Sequence, residues 1–141
     1  MVLLDSSFLI AYHNRDDVHH PAAAAAMERF LDGEWGRGLL AEYVFLEVTT
    51  VLALRLDRQE AIRIGELLLH SRELELVPCS DLFFDAFEVF RGQEGGDLSF
   101  VDSALVALAR RRGTSHLLTF DAGFGSVEDV TVLPDGSRDE G

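Results

Sequence analysis

Carboxylates follow two apolar segments of this sequence directly, and carboxylates in such places can bind a metal ion. Asp5 follows the apolar residues 2–4, and Asp121 follows a second apolar segment, residues 117–120. If both segments are strands of a parallel sheet, the two side chains lie at its carboxyl edge, where ligands collect. Either aspartate alone would be explained equally well as a helix or turn cap. Two at the same edge favour a functional site.

A third carboxylate, Glu47, lies in a helical pattern predicted over residues 41–55. It shares one stripe with Val44, Val48 and Val51, at the i, i+3, i+4, i+7 spacing of a core-facing helix surface. A carboxylate on that surface is costly unless a cation or a hydrogen-bond donor meets it, so we expect an interior metal ion or an arginine as its partner. The alternative is a glutamate at the margin of the stripe that reaches solvent.

The fourth carboxylate, Asp102, falls in the first turn of a helix predicted over residues 99–112. With Ser99 as the N-cap, Asp102 occupies the position that completes a variant of the capping box, and this role needs no function. The same position points the side chain toward the helix entrance, where the loop around Gly95 and Gly96 leaves room for a ligand. We therefore predict that Asp102 both caps the helix and serves the site.

Four carboxylates near one sheet edge repel one another unless divalent cations share their oxygen atoms. Ligation by oxygen alone, without a histidine or cysteine cluster, points to Mg²⁺ or Mn²⁺ rather than zinc, and such sites usually serve phosphoryl chemistry. The histidines do not change this interpretation, because His19 and His20 precede Pro21 in a predicted loop and His116 begins a predicted strand. We expect them to be surface or structural residues.

The composition predicts one soluble domain with its own core, since 48% of the 141 residues are hydrophobic and 26% are charged. We place this domain at residues 1–134 and a short polar tail at residues 135–141. The apolar runs are far shorter than the roughly 20 residues that cross a bilayer, and the first residues lack the features of a secretory signal. The single Cys79 cannot form an intramolecular disulfide. We therefore expect a cytoplasmic protein with no membrane partner.

The charge is strongly negative, with 25 acidic and 12 basic residues for a formal net charge of -13. Every basic residue is arginine, and the absence of lysine excludes a P-loop lysine and a Schiff base. Such acidity opposes binding of nucleic acid through a broad basic face, so bound cations or local arginines would have to attract a polyanion. The only dense cluster is Arg110, Arg111 and Arg112. The acidity fits a protein that works in concentrated salt, although high genomic GC content also favours arginine codons.

Short apolar segments alternate with helical patterns along the chain. Strands are predicted at residues 2–4, 38–40, 74–77, 116–120 and 130–133. Helices are predicted at residues 6–12, 21–31, 41–55, 57–71, 80–90 and 99–112, with Gly113 as the C-cap of the last. This order predicts an α/β fold of three layers, in which helices flank a central, mostly parallel sheet of four to five short strands.

Four segments around these carboxylates resemble the motifs of the PIN-domain family, and within it the VapC-like toxins of toxin–antitoxin pairs. The segments are VLLDSSFLI at 2–10, FLEV at 45–48, LSFVDSA at 98–104 and LTFDAGF at 118–124. Each segment alone is a weak match. Four of them in this order, at suitable separations over nearly the whole chain, are specific.

The resemblance implies a metal-dependent endoribonuclease that hydrolyses RNA phosphodiester bonds with Mg²⁺ or Mn²⁺. In such a reaction one ion lowers the pKa of a bound water, and the same ion or a second one about 4 Å away stabilises the leaving oxygen. The residues that the resemblance assigns to catalysis and metal binding are Asp5, Glu47, Asp102 and Asp121. It assigns Ser7 and Thr119 as supporting hydroxyls, and Asp97 is an additional acidic candidate.

The same resemblance implies three kinds of partner for this chain. These are an RNA substrate, a small antitoxin protein and a second copy of the chain in a homodimer. The antitoxin would place an arginine or lysine side chain in the acidic cleft, in the space that the metal needs. The bound cations would offset the local negative potential, so the net charge does not forbid activity on RNA.

Other classes of protein are weaker or open alternatives. A phosphatase that uses Asp5 as a nucleophile would need a second aspartate two positions later, where Ser7 stands, and a lysine further on. A dinucleotide-binding domain would need glycines in the turn after the first strand, and residues 5–8 contain none. A PIN-domain RNA-processing nuclease outside a toxin–antitoxin pair, or a non-catalytic binding module on the same fold, stays open. Cleavage of RNA by the native chain and by Asp5→Asn discriminates a nuclease from a binder.

Overall fold

Five short strands form one sheet within residues 1–134, which are the residues that the computed structural model describes. The strands are β1 (Val2–Leu4), β2 (Gly38–Ala41), β3 (Leu74–Val77), β4 (His116–Leu118) and β5 (Thr131–Leu133). All neighbours pair in parallel, in the order β3-β2-β1-β4-β5. The α/β class predicted from the sequence is confirmed. The predicted polar tail, residues 135–141, lies outside the described residues.

Six α-helices connect and cover these strands in the described part of the chain. They are α1 (Ser6–His13), α2 (His20–Leu31), α3 (Glu42–Arg55), α4 (Arg58–His70), α5 (Phe83–Gly92) and α6 (Phe100–Arg112). Helix α1 packs on α2 and α3, α3 packs on α4, and α5 packs on α6. Because parallel strands are joined by right-handed crossovers, the two groups of helices belong to opposite faces of the sheet. The result is the three-layer arrangement predicted from the sequence.

The strand order places a topological switch point between β1 and β4. From β1 the chain builds the sheet outward through β2 and β3, and it then returns to the other side of β1 to add β4 and β5. Loops that leave the carboxyl ends of β1 and β4 therefore diverge to opposite faces and leave a crevice between them. Asp5 and Asp121 both belong to these loops.

The core is built around β1, whose residues Val2 to Leu4 are at most 1% exposed. Side chains of neighbouring elements pack directly on Gly38 at the start of β2. A Cβ atom at Gly38 would lie 2.7 Å from side-chain atoms of both Leu74 and Phe30, so a larger residue would force these side chains to move. This packing closes the core at the amino end of the sheet, opposite the edge that carries the carboxylates.

Two predicted elements differ from the observed ones by more than one residue at one or both ends. The segment predicted as a helix over 80–90 begins with a 3₁₀ turn, Ser80–Leu82, and α5 then continues to Gly92. The strand predicted over 116–120 ends at Leu118. It ends early because the backbone N–H of Phe120 donates to the hydroxyl of Ser7, at 3.0 Å, instead of to a neighbouring strand.

The dense arginine cluster lies at the carboxyl end of α6, eight to ten residues and therefore about 12–15 Å along the helix from Asp102. All three side chains are ion-paired with acidic residues of other segments. The pairs are Arg110 with Asp129, Arg111 with Asp85, and Arg112 with Glu75. The cluster therefore ties α6 to its surroundings and is not a free cationic surface beside the carboxylates.

No helix within residues 1–134 is both long enough and apolar enough to cross a lipid bilayer.

Candidate metal centre at the sheet edge

Asp5 is held at the end of β1 by hydroxyl groups from its own loop and from the neighbouring strand. Its Oδ2 accepts hydrogen bonds from Ser7 Oγ at 2.8 Å and from Thr119 Oγ1 at 2.7 Å. Asp5 and Thr119 are 114 positions apart in sequence, and the pairing of β1 with β4 brings them together. Ser7 and Thr119 thus have the supporting position that the resemblance implies.

The second carboxylate oxygen of Asp5, Oδ1, is buried and has no hydrogen-bond partner among residues 1–134. The residue as a whole is 2% exposed. Burial raises the pKa of Asp5 above its ordinary value, the two hydroxyl donors oppose this rise, and the nearby charge of Asp121 adds to it. A buried oxygen without a donor is costly for a folded protein, and a cation at this place would satisfy it.

Asp102 approaches the same place from the N-terminus of α6. Its backbone N–H donates to Ser99 Oγ at 3.0 Å, and its Oδ2 accepts from the backbone N–H of Ser99 at 3.1 Å. The predicted capping box is therefore confirmed. Burial, together with the like charges of Asp5 and Asp121, raises the pKa of Asp102 to about 6.

Asp121 completes the group from the loop after β4. Its backbone N–H donates to Thr119 Oγ1, and its own Oδ1 accepts from the backbone N–H of Gly123, each at 2.9 Å. The turn-forming role that the sequence suggests is therefore present. One carboxylate oxygen from each of Asp5, Asp102 and Asp121 lies within 4.8 Å of the other two.

Glu47 lies beside this group but outside it. The buried stripe of α3 is formed by Val44, Val48 and Leu52, which shifts it away from Val51 and leaves Glu47 half-buried at its margin. The expected burial on the core-facing stripe was therefore wrong. Glu47 Oε1 accepts a hydrogen bond from the hydroxyl of Ser6, so within the described residues its partner is a hydroxyl and not an arginine.

Asp97 is exposed in the loop before α6, and its side chain is not brought to the three carboxylates. It lines a different cavity, which lies between α5 and the loop after β4. Its backbone carbonyl oxygen would lie 2.9 Å from a Cβ atom at Gly123, so this loop packs closely on the turn that begins with Asp121. The observed contact of Asp97 with the site is thus made by its backbone.

A polar cavity of about 440 Å³ opens above the carboxylates. Three of its lining residues, His19, Arg55 and Phe120, were not assigned to the site from the sequence. A helical spacing could have indicated Arg55, because Val51 and Arg55 follow Glu47 at successive intervals of four residues. No comparable pattern points to His19, whose place is set by the turn before α2.

The donor set fits a hard divalent cation. Three carboxylates converge, none of them forms an ion pair with an arginine within residues 1–134, and one buried oxygen of Asp5 has no other partner. Oxygen ligands are those that Mg²⁺ and Mn²⁺ prefer. A cation would also offset the burial and the mutual repulsion that together raise the pKa values of Asp5 and Asp102.

The fold and this acidic centre agree with the comparison to known families. The model of the PIN domain matches residues 2–130, and the chain belongs to this family. The chain is similar to the 23S rRNA-specific endonuclease VapC20 of two Mycobacterium tuberculosis strains, CDC 1551 and H37Rv. The VapC20 of each strain is 25% identical to this chain over 135 residues, which cover 96% of this chain and 100% of the relative.

Solved structures share the same fold. The crystal structure of Mycobacterium tuberculosis VapC20, described as a sarcin-ricin loop cleaving toxin, superposes with a TM-score of 0.79 at 23% identity, over 91% of this chain and 95% of that one. A toxin–antitoxin complex from Klebsiella pneumoniae superposes with a TM-score of 0.64 at 16% identity, over 93% of this chain and 96% of that one. The structure of VapBC2 from Rickettsia felis, bound to a DNA fragment from its promoter, superposes with a TM-score of 0.67 at 14% identity, over 94% of this chain and 97% of that one.

Proposed function

We propose that this protein is a metal-dependent endoribonuclease and the toxin of a toxin–antitoxin pair, acting on RNA in the cytoplasm. The observation that carries the proposal is the convergence of Asp5, Asp102 and Asp121 within 4.8 Å, with one buried oxygen of Asp5 unpartnered in residues 1–134. The similarity to an rRNA-specific endonuclease over nearly the whole chain supports the reaction class. Structured ribosomal RNA is therefore the first substrate to test.

The three carboxylates would hold a Mg²⁺ or Mn²⁺ ion, and when bound the ion supplies Lewis-acid charge and an acidified water for phosphodiester hydrolysis. The protein's own contribution is orientation. Ser7 and Thr119 fix Oδ2 of Asp5 and leave its buried Oδ1 without a hydrogen-bond partner in residues 1–134, while the capping box fixes Asp102. Preorganised groups of this kind lower the cost of reaching the reactive geometry.

Arg55 supplies the local positive charge that an acidic protein needs to bind RNA. It is exposed, lines the carboxylate cavity and forms no ion pair within the described residues. We assign it to a phosphate of the substrate next to the one that is cleaved. Glu47, on the same helix and the same cavity wall, remains a predicted fourth carboxylate of the metal centre.

An apolar groove that continues from the cavity supports an antitoxin partner. Glu47 and Val51 line both spaces, and the groove itself is lined by Tyr43, Phe83 and Phe100 among others. A peptide with apolar side chains could lie in this groove and extend an arginine or lysine into the carboxylates. Such a cation would occupy the space of the metal and hold the nuclease inactive. The homodimer implied by the resemblance is part of the same proposal, and sedimentation of the purified chain measures it.

The test of the nuclease is incubation of purified protein with labelled ribosomal RNA and short RNA pools in Mg²⁺, Mn²⁺ or EDTA. Native protein and Asp97→Asn, which changes an exposed carboxylate outside the centre, should cleave in either metal and not in EDTA. Asp5→Asn should cleave at least about a hundredfold more slowly, because loss of even an outer partner of a metal ligand costs about 10- to 100-fold. Mn²⁺ titration calorimetry should show binding by Asp97→Asn and none by Asp5→Asn.

Cleavage that persists in EDTA, or unchanged in Asp5→Asn, would contradict the metal centre. Binding of RNA without cleavage in any metal would favour the non-catalytic module instead. For the antitoxin, the protein isolated from its native cells should carry a small bound protein that suppresses cleavage. Isolation of a partner-free and fully active nuclease would count against that part of the proposal.

A further inference from the structure

Three aromatic rings form a stack that runs from the core to the wall of the carboxylate cavity. The innermost is Phe8, whose ring lies 6.1 Å from that of Phe120 at an interplanar angle of 26°. The outermost is His19, whose ring covers Phe120 at 4.5 Å and only 4° from parallel. His19 and Phe120 both line the cavity above the carboxylates.

The exposure of the rings increases along the stack. Phe8 is 0% exposed, Phe120 is half-buried and His19 is exposed. One face of the His19 ring covers Phe120, and the other face has no aromatic neighbour within residues 1–134. The stack therefore ends in a flat surface that is open to a further ring.

The position of this surface is fixed by the same contacts that arrange the metal centre. The backbone N–H of Phe120 donates to Ser7 Oγ at 3.0 Å, and that hydroxyl also donates to Asp5. On the other side, the backbone N–H of His19 donates to Asp17 Oδ1 at 2.8 Å. The aromatic surface and the carboxylates are thus held in one rigid arrangement.

Hydrogen bonding within the protein does not account for the position of the His19 ring. His19 is the N-cap residue of α2, but its side chain makes no capping hydrogen bond. Its ring nitrogens make no hydrogen bond to any of residues 1–134. The ring contributes to the protein only its contact with Phe120, and its polar edge and outer face remain available to a ligand.

We propose that the outer face of His19 is a stacking site for one unpaired base of the RNA substrate. The inference rests on the proposed nuclease function, since a base must lie near the carboxylates when its backbone is cleaved there. Nucleases and RNA-binding proteins read single-stranded segments by stacking splayed bases on aromatic side chains, histidine included. Every base has a π face, so this site selects an unpaired nucleotide at a fixed distance from the cleaved bond and not a particular base.

The test combines variants of His19 with abasic substitutions in the RNA. A single-stranded oligonucleotide that the native protein cleaves at one bond is prepared with one abasic nucleotide at each position in turn. KM and kcat are measured for native protein, His19→Ala and His19→Phe, and Tm confirms that each variant is folded. His19→Ala should raise KM about tenfold with a smaller change in kcat, and His19→Phe should return KM to the native value.

The decisive measurement is whether the effects of His19→Ala and of an abasic nucleotide on KM depend on each other. At one position near the cleaved bond, the abasic substitution should raise KM for native protein about tenfold but have little further effect in His19→Ala, because both changes remove the same contact. Additive effects at every position, or an unchanged KM in His19→Ala, would overturn the stacking site while cleavage by native protein leaves the nuclease intact.

A second measurement does not depend on cleavage. An RNA with the fluorescent base 2-aminopurine at successive positions is titrated with native protein and with His19→Ala in EDTA. Quenching at one position that His19→Ala loses and His19→Phe keeps supports the site, even if native protein proves not to cleave RNA. Equal quenching by native protein and His19→Ala, or no quenching at any position, overturns it.

Discussion

Asp102 serves two purposes that place opposite demands on its charge. As the third residue of α6 its carboxylate accepts the backbone hydrogen bond of the capping box, and as a member of the acidic centre it lies beside Asp5 and Asp121. It is only 7% exposed. Without a cation the ionised form is disfavoured, which is why its pKa rises to about 6. Without a cation the group of three carboxylates therefore lowers the stability of the folded protein, and a bound ion would relieve this cost.

From this follows a pH dependence of stability in EDTA. The pKa of Asp102 is about 6 in the folded protein against an ordinary value of 3.8, so the folded state binds the proton more tightly than the unfolded state does. The free energy of unfolding should therefore fall as pH rises from about 4 to about 6 and stay low above that. Asp5, whose pKa is also raised, acts in the same direction.

Asp102→Asn should remove this penalty and keep the capping hydrogen bond, since an amide oxygen also accepts. At pH 7 in EDTA we expect it to stabilise the protein by about 2 kcal/mol while abolishing Mn²⁺ binding. Urea unfolding of native protein and variant at pH 7 and pH 5 measures the difference, which should shrink at the lower pH. Asp97→Asn is the control. If Asp102→Asn were less stable than native protein at pH 7, the ionised carboxylate of Asp102 would not be destabilising in the native fold.

The placement of a residue was predictable from the sequence where its position alone decides the environment. Asp5 and Asp121 were expected at one edge of the sheet because they follow the segments of β1 and β4, and the structure brings them together there. His19 and Arg55 were not assigned to the site. The helical spacing from Glu47 could have indicated Arg55. The place of His19 depends instead on the turn before α2, and no local pattern in the sequence encodes it.

At the element scale, the start of α6 matters more to the site than its length. Its residues 102 to 109 are all buried, so the apolar face expected from Val101, Ala104, Leu105 and Leu108 belongs to a helix whose middle is enclosed on every side. A helix that is covered all round is located by its neighbours, while its capping box sets where it begins. The capping box and the predicted C-cap at Gly113, with a φ of 70°, were readable because their chemistry is local.

Two helix caps offer a matched comparison. Ser99 caps α6 beside the metal centre, and Asp57 caps α4 by accepting from the backbone N–H of Glu60 at 2.7 Å. Alanine at either position should destabilise the protein by about 1 kcal/mol. Only Ser99→Ala should also weaken Mn²⁺ binding, because it frees the turn that orients Asp102. Calorimetric titration combined with thermal unfolding measures both effects. Equal Mn²⁺ affinity in the two variants would refute the positioning role.

On the scale of the whole molecule, surplus negative charge is spread over a surface whose described arginines are mostly paired already. The formal net charge is -13, and seven ion pairs are formed among residues 1–134. Surface pairs contribute little each, so long-range repulsion among the remaining carboxylates dominates the electrostatic free energy. The overall architecture was predictable because the alternation of strands and helices allows few topologies.

Salt should therefore stabilise this protein. Raising KCl from 0.1 M to 1 M shortens the Debye length from about 10 Å to about 3 Å, which screens the repulsion more than it weakens the contact pairs. We expect Tm to rise over this range in EDTA, where no specific divalent ion contributes. An unchanged Tm up to about 2 M KCl would assign the acidic, lysine-free composition to codon usage and leave the nuclease proposal untouched.

The hydrogen bond from Thr119 to Asp5 has a consequence for protein synthesis. It joins residues 114 positions apart, and β1 gains its second neighbouring strand only when β4 has been made. At translation rates of about 5–20 residues per second, Asp5 waits about 6–23 s for this partner. Until then the emerging chain carries acidic residues but no assembled metal centre. Under the proposed function, the growing chain would therefore have no assembled nuclease centre while the ribosome is still making it.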